Sequence, residues 1–109
     1  MDDGHQNPLA EKTLSMLVVD AETGFGNGCV FPAGPLRESL TAALKRADVV
    51  ILMKPAPDFE ISETLKTQLK GQIVIPAYLS PTAPPPKGKL YAFAGIGRPD
   101  KFFDSLRRH

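Results

Sequence analysis

Arg37 and Glu38 close the run GFGNGCVFPAGPLRE, Gly24 to Glu38, which holds four glycines and two prolines. A guanidinium offers a planar fork matched to phosphate oxygens. A carboxylate beside it either pairs with that cation or orients a hydroxyl or a metal-bound water. Asp2 and Asp3, with Gln6 close behind, form a second candidate group. Adjacent carboxylates can hold Mg²⁺ directly or through its waters, as in phosphate-transfer sites; a solvated acidic segment is the plainer reading. By pattern alone Asp20, which ends the apolar run Met-Leu-Val-Val, is the better metal-site acid. His5 and His109 have no partner spacing that suggests a metal site, and Cys29 has no recognisable catalytic context.

The alternating Gly24, Gly26 and Gly28 invite comparison with a phosphate-cradling loop. Such a loop needs backbone N–H groups converging on a helix N-terminus, usually with a lysine completing the cradle. No GxxxxGK[ST] occurs in the chain, and Gly28 is followed by Cys-Val-Phe-Pro rather than by a helix. Neither Gly24 nor Gly26 begins a dinucleotide fingerprint. The pattern therefore predicts a tight irregular loop, and Gly95-Ile96-Gly97 is a weaker case of the same kind.

The elements that would position these groups follow from apolar periodicity. LSMLVVDA (Leu14–Ala21) reads as a strand buried on both faces. PLRESLTAALKRA (Pro35–Ala47) reads as a helix with Pro35 at its first position and Leu36, Leu40, Ala43, Leu44 and Ala47 on one face. On that reading Arg37 and Glu38 fall in the first turn, aimed past the carboxyl end of the preceding strand, where open α/β sheets bind ligands. DVVILMK (Asp48–Lys54) is a second strand, and ISETLKTQLKG (Ile61–Gly71) a helix stopped by Gly71. QIVIPAYL (Gln72–Leu79) is a third strand, with Pro76 arguing for a sheet edge or strand end.

SPTAPPPKGK (Ser80–Lys89) can form neither helix nor central strand and reads as a connector. KLYAFAGIG (Lys89–Gly97) predicts a fourth strand, and PDKFFDSLRRH (Pro99–His109) a helix with Phe102, Phe103 and Leu106 on one face. Strands alternating with helices predict an α/β fold with a mainly parallel sheet and flanking helices. Three or four strands are a thin core for independent stability, so the outline is that of a piece of something longer.

Bulk properties narrow the function. The chain has 109 residues and a formal net charge of +1. With no basic run longer than Arg107-Arg108, nucleic acid is not an expected partner. Cys29 is the only cysteine, which excludes an internal disulfide and fits a reducing compartment. No stretch approaches the roughly 20 apolar residues that span a bilayer, and there is no signal-peptide pattern.

Four blocks carry a family resemblance: MDDGHQNP, LVVDAETGFGNGCVFPAGPLRE, KRADVV and YAFAGIGRPDKFF. In this order, and over essentially the whole chain, they resemble the tetraacyldisaccharide 4'-kinase family, the lipid A kinases of Gram-negative bacteria. The GFGNG…PAGPLRE block is highly specific, and AFAGIGRPDKFF supports it independently. The family often has phenylalanine at His5 and histidine at Asn7.

The resemblance implies a P-loop-type α/β kinase with a second α/β domain. Residues 1–79 would be the C-terminal part of the P-loop domain, 80–88 a proline-rich linker, and 89–109 the start of the second domain. It implies transfer of the γ-phosphate of ATP, with Mg²⁺, to the 4'-hydroxyl of tetraacyldisaccharide 1-phosphate at the cytoplasmic face of the inner membrane. Asp2 and Asp3 match the family's acidic metal-site motif, and Gln6 belongs to the same motif, which binds the cofactor. Arg37 and Glu38 match its active-site arginine and glutamate. The family's Walker A loop, membrane-associating segment and a further catalytic aspartate lie upstream of the DDG motif, and a catalytic histidine lies beyond His109. The 109 residues are therefore expected to be an internal fragment, inactive alone, whose peripheral membrane contact runs through segments it lacks. The alternatives are a non-catalytic α/β binding module and a truncated remnant that has lost nucleotide binding.

Overall fold

The computed structural model describes residues 4–9, 11–84 and 86–107. Asp2 and Asp3 lie outside the described residues. The chain divides into two compact units, Met1–Leu79 and Ser80–His109.

Among the described residues, the first unit is a parallel three-stranded sheet with two α-helices and a 3-10 turn, Gly4–Gln6. Strand β1 (Met16–Asp20) leads into helix α1 (Leu40–Arg46), then β2 (Val49–Lys54), helix α2 (Glu63–Gln68) and β3 (Val74–Tyr78). The strand order is β1-β2-β3, with Met16 opposite Val49 and Val50 opposite Val74. Pro76 sits in β3, an edge strand, where its missing N–H takes no ladder bond away.

Side chains alternate across each strand. Val19, Val50 and Leu52 point to the face that meets Leu44 of α1 and Leu65 of α2, joined by Leu69, Ala21 and Phe25. This is the core. Val50 and Leu52 are its most enclosed side chains. Both helices are short and depend on their caps: the hydroxyl of Ser39 accepts from Ala42 N at 3.3 Å and that of Ser62 from Leu65 N at 3.2 Å. Each such cap contributes about 1 kcal/mol. Gly71 takes φ +86° just past α2, as a helix-ending glycine does.

Three expectations are corrected. β1 is covered on one face only: Met16 and Val18, on the side away from α1 and α2, are 58% and 64% exposed. Helix α1 begins at Leu40, not Pro35, so Arg37 and Glu38 lie in the loop before it rather than in its first turn. The reason is local. Leu36 is held in a bridge to Val30, its N–H donating to the Cys29 carbonyl at 3.2 Å, and Ser39 then supplies the cap that Pro35 cannot. Finally, Lys89–Gly97 is not a strand among the described residues. Tyr91 and Phe93 are exposed there, and an extended segment without a partner strand leaves its backbone to water.

Among the described residues, the second unit holds one regular element, α3 (Pro99–Arg107). Phe102 and Phe103 meet edge to face on it, ring centroids 5.4 Å apart. No helix among the described residues is long and apolar enough to cross a membrane.

Candidate functional site

The glycine loop is a succession of tight turns. Gly24 N–H donates to the Asp20 carbonyl at 2.8 Å, Gly26 N–H to Thr23 at 3.0 Å, and Gly28 N–H to Phe25 at 3.0 Å. All three glycines have φ between +54° and +73°, a region L side chains rarely adopt. Asn27 then staples the loop to the following stretch. Its Nδ2 donates to the Ala33 carbonyl at 2.8 Å and its Oδ1 accepts from Cys29 N at 3.0 Å. Gly34 makes that staple possible, because a Cβ there would lie 2.1 Å from Asn27 Oδ1 and 2.4 Å from the Cys29 carbonyl oxygen. The amides close turns, so the loop is a shaped connection rather than a phosphate cradle.

Asp20, at the end of β1, accepts from Glu22 N at 2.9 Å through its carboxylate. Cys29 is a free, exposed thiol.

Beside β1 the loop opens onto a cleft of about 250 Å³. Leu17, Val19, Phe25, Leu36 and Leu40 give it an apolar interior, while His5, Gln6, Arg37 and Glu38 supply its polar groups. The structure thus brings together three of the residues expected to act, Gln6, Arg37 and Glu38. A cleft of this size is smaller than the ~300–1,000 Å³ of ordinary small-molecule sites, so it matches part of a ligand rather than a whole nucleotide.

Glu38 is the electrostatic centre of the group. It is ion-paired with Arg46, eight residues further on, and accepts from Gln6 Nε2 at 3.1 Å. The hydrogen bond from Arg46 holds its carboxyl below the ordinary value of 4.5; burial opposes this and Gln6 adds to it. The same pairing raises Arg46 above its ordinary value. Glu38 is therefore a persistent anion near neutral pH, suited to positioning cations and hydroxyls more than to accepting a proton.

No sequence spacing signals a role for His5. Its Nε2 lies 3.3 Å from the Ala43 carbonyl oxygen and its Nδ1 2.9 Å from Ser15 Oγ. A carbonyl only accepts, so Nε2 carries the proton, and in the neutral ring Nδ1 accepts from the Ser15 hydroxyl. His5 thereby ties the 3-10 turn Gly4–Gln6 to the start of β1 and to α1. This holds Gln6 where it reaches Glu38. Among the described residues no cluster of three or more His, Cys, Asp or Glu side chains is placed to hold a metal ion.

A family model described as Tetraacyldisaccharide-1-P 4'-kinase matches residues 1–109. Among curated proteins, the chain is 56% identical to a tetraacyldisaccharide 4'-kinase of Maricaulis maris (strain MCS10), covering 98% of this chain and 32% of that relative. It is 54% identical to the enzyme of the same name from Hyphomonas neptunium (strain ATCC 15444), covering 97% of the chain and 30% of the relative. With that of Caulobacter sp. (strain K31) the identity is 50%, over 98% of the chain and 33% of the relative. The chain thus spans about a third of the length of these relatives. No solved structure matches it.

Proposed function

The chain belongs to the tetraacyldisaccharide-1-P 4'-kinase family, and from that premise we propose that it forms the middle of a P-loop-type lipid kinase. In that reading residues 1–79 complete the nucleotide domain, 80–88 link the domains, and 89–109 open the second. The reaction moves the γ-phosphoryl group of ATP to the 4'-hydroxyl oxygen of tetraacyldisaccharide 1-phosphate. The bond to the β-phosphate breaks, ADP leaves, and the hydroxyl proton is released. The setting is the cytoplasmic face of the bacterial inner membrane.

One observation carries the assignment of roles: Arg37 lines the cleft beside β1 together with Gln6 and Glu38. A guanidinium there would bind phosphoryl oxygens and stabilise charge that builds up during transfer. Glu38, kept anionic by Arg46, would hold Gln6 and meet a ligand hydroxyl through its second oxygen, Oε2. The paired carboxylates Asp2 and Asp3 are the donor type that Mg²⁺ takes, and Gln6 lies three and four residues further along. Mg²⁺ bound there would neutralise phosphate charge.

Positioning and charge stabilisation are most of what a phosphoryl-transfer site supplies, so this chain alone should be inactive. The test is a chimera in which this chain replaces the matched third of the Maricaulis maris relative. The chimera is expected to phosphorylate the tetraacyldisaccharide with Mg-ATP, and the purified chain to give no product. An inactive, folded chimera would favour the non-catalytic binding module; turnover by the chain alone would refute the division of labour.

A further inference from the structure

From Gly24 to Leu36 the chain carries no charged side chain, and the next residue is Arg37. Within that stretch every residue from Cys29 to Ala33 is exposed. Phe31, the largest of them, is 79% exposed, and Val30 beside it 39%. One apolar residue in water needs no explanation. Here Val30, Phe31, Pro32 and Ala33 stand together at a loop tip, and clustered apolar surface with a polar rim marks a binding site.

Hydrogen bonds fix where this tip stands. Phe31 N–H donates to the Leu36 carbonyl at 2.8 Å, Leu36 N–H donates to the Cys29 carbonyl at 3.2 Å, and Ala33 N–H closes the turn onto the Val30 carbonyl at 3.0 Å. Asn27 fastens the base of the turn through the Ala33 carbonyl. The carbonyl that Phe31 engages belongs to the peptide unit joining Leu36 to Arg37. The exposed ring and the guanidinium are therefore carried by backbone segments one hydrogen bond apart. Leu36, bridged to Val30, also lines the Arg37 cleft, with Pro35 and Leu40. Apolar surface thus runs from the loop tip into the wall of the cleft.

A ligand with a phosphorylated or hydroxylated head and hydrocarbon attached close by matches that order of groups. Four acyl chains on two sugar rings leave hydrocarbon within a few bonds of an acceptor hydroxyl. Resting on the kinase reading, we propose that Phe31, with Val30 and Pro32, is the acyl-chain contact of the substrate site. With the acceptor hydroxyl at Arg37 and Glu38, one acyl chain lies along the tip and covers the Phe31 ring. The turn holds the ring in place beforehand, so little side-chain freedom is lost when the chain arrives.

Steady-state kinetics of the chimera carrying Phe31→Ser test this. The KM for the tetraacyldisaccharide should rise at least about tenfold, the scale of one aromatic side chain returned to water. The KM for Mg-ATP should stay within about twofold, and Phe31→Leu should restore most of the loss. With the same disaccharide stripped of its acyl chains, parent and Phe31→Ser chimeras should share one KM. An unchanged KM for the acylated substrate would overturn the proposal, and so would an equal rise for the stripped one. A Phe31→Ser chimera that fails to fold while Phe31→Leu folds would assign the ring to a polypeptide contact, again overturning it. Weaker flotation with phospholipid vesicles as the sole defect would assign the ring to the bilayer instead of the substrate. An active chimera indifferent to Phe31→Ser sinks this proposal and spares the kinase reading, whereas a folded but inactive parent chimera sinks both.

Discussion

Glu38 is ion-paired with Arg46 across most of helix α1, from the residue before its cap to its last turn. This pairing turns a two-residue motif in a loop into part of a framework. Gln6 and the helix both converge on Glu38 Oε1. Arg37 therefore leaves the loop from a backbone anchored on one side by the Leu36–Val30 bridge and on the other by Glu38.

The sign of the Glu38 shift gives a pH prediction. Its folded value is lowered, so the stabilisation it contributes is fully present above the ordinary value of 4.5 and is lost as pH falls through the lower folded value. A carbon-detected NMR titration should place the Glu38 midpoint below 4.5. Arg46→Ala should move it upward, because the largest cause of the lowering is removed. An unmoved midpoint would show that Arg46 is not the cause.

Gly34→Ala should destabilise the first unit by about 1–3 kcal/mol, because the added methyl meets Asn27, which forms the staple, and the Cys29 carbonyl, which accepts from Leu36 N. Asn27→Ala in the same background should recover only part of the loss, since the Cys29 carbonyl remains in the way. Thermal melts of the two variants check this.

Leu52→Ala should cost about 2–5 kcal/mol in urea unfolding, as for other enclosed leucines. Val18→Ala should stay within about 0.5 kcal/mol in the chain alone, because its side chain already meets water.

Much of this architecture is legible in the sequence, for identifiable reasons. The three apolar runs give β1, β2 and β3, because a short run of Val, Ile and Leu between turn-formers has few other solutions. Pro76 marks the edge strand through its missing donor. What local pattern cannot show is context. The apolar run at Met16–Val19 implies two covered faces, but only one is covered among the described residues. Lys89–Gly97 has strand composition but pairs with no strand among the described residues. Pro35 fits a first helical position, yet the bridge at Leu36 and the hydroxyl at Ser39 together start the helix later. Candidate site residues at Arg37 and Glu38 are visible as a motif; the partnership with Arg46 and Gln6 is not, since it joins positions 8 and 32 residues apart. His5 is silent in the sequence for the same reason, with bonds that reach 10 and 38 residues away.

The central claim is that the Arg37 guanidinium stabilises a phosphoryl group during transfer. Steady-state kinetics of the full-length chimera carrying Arg37→Ala test it most directly, with circular dichroism as the check on folding. The account predicts that kcat falls about a hundredfold or more in a protein that folds normally, with Arg37→Lys recovering only part of it. A kcat within a few-fold of the parent chimera would contradict it.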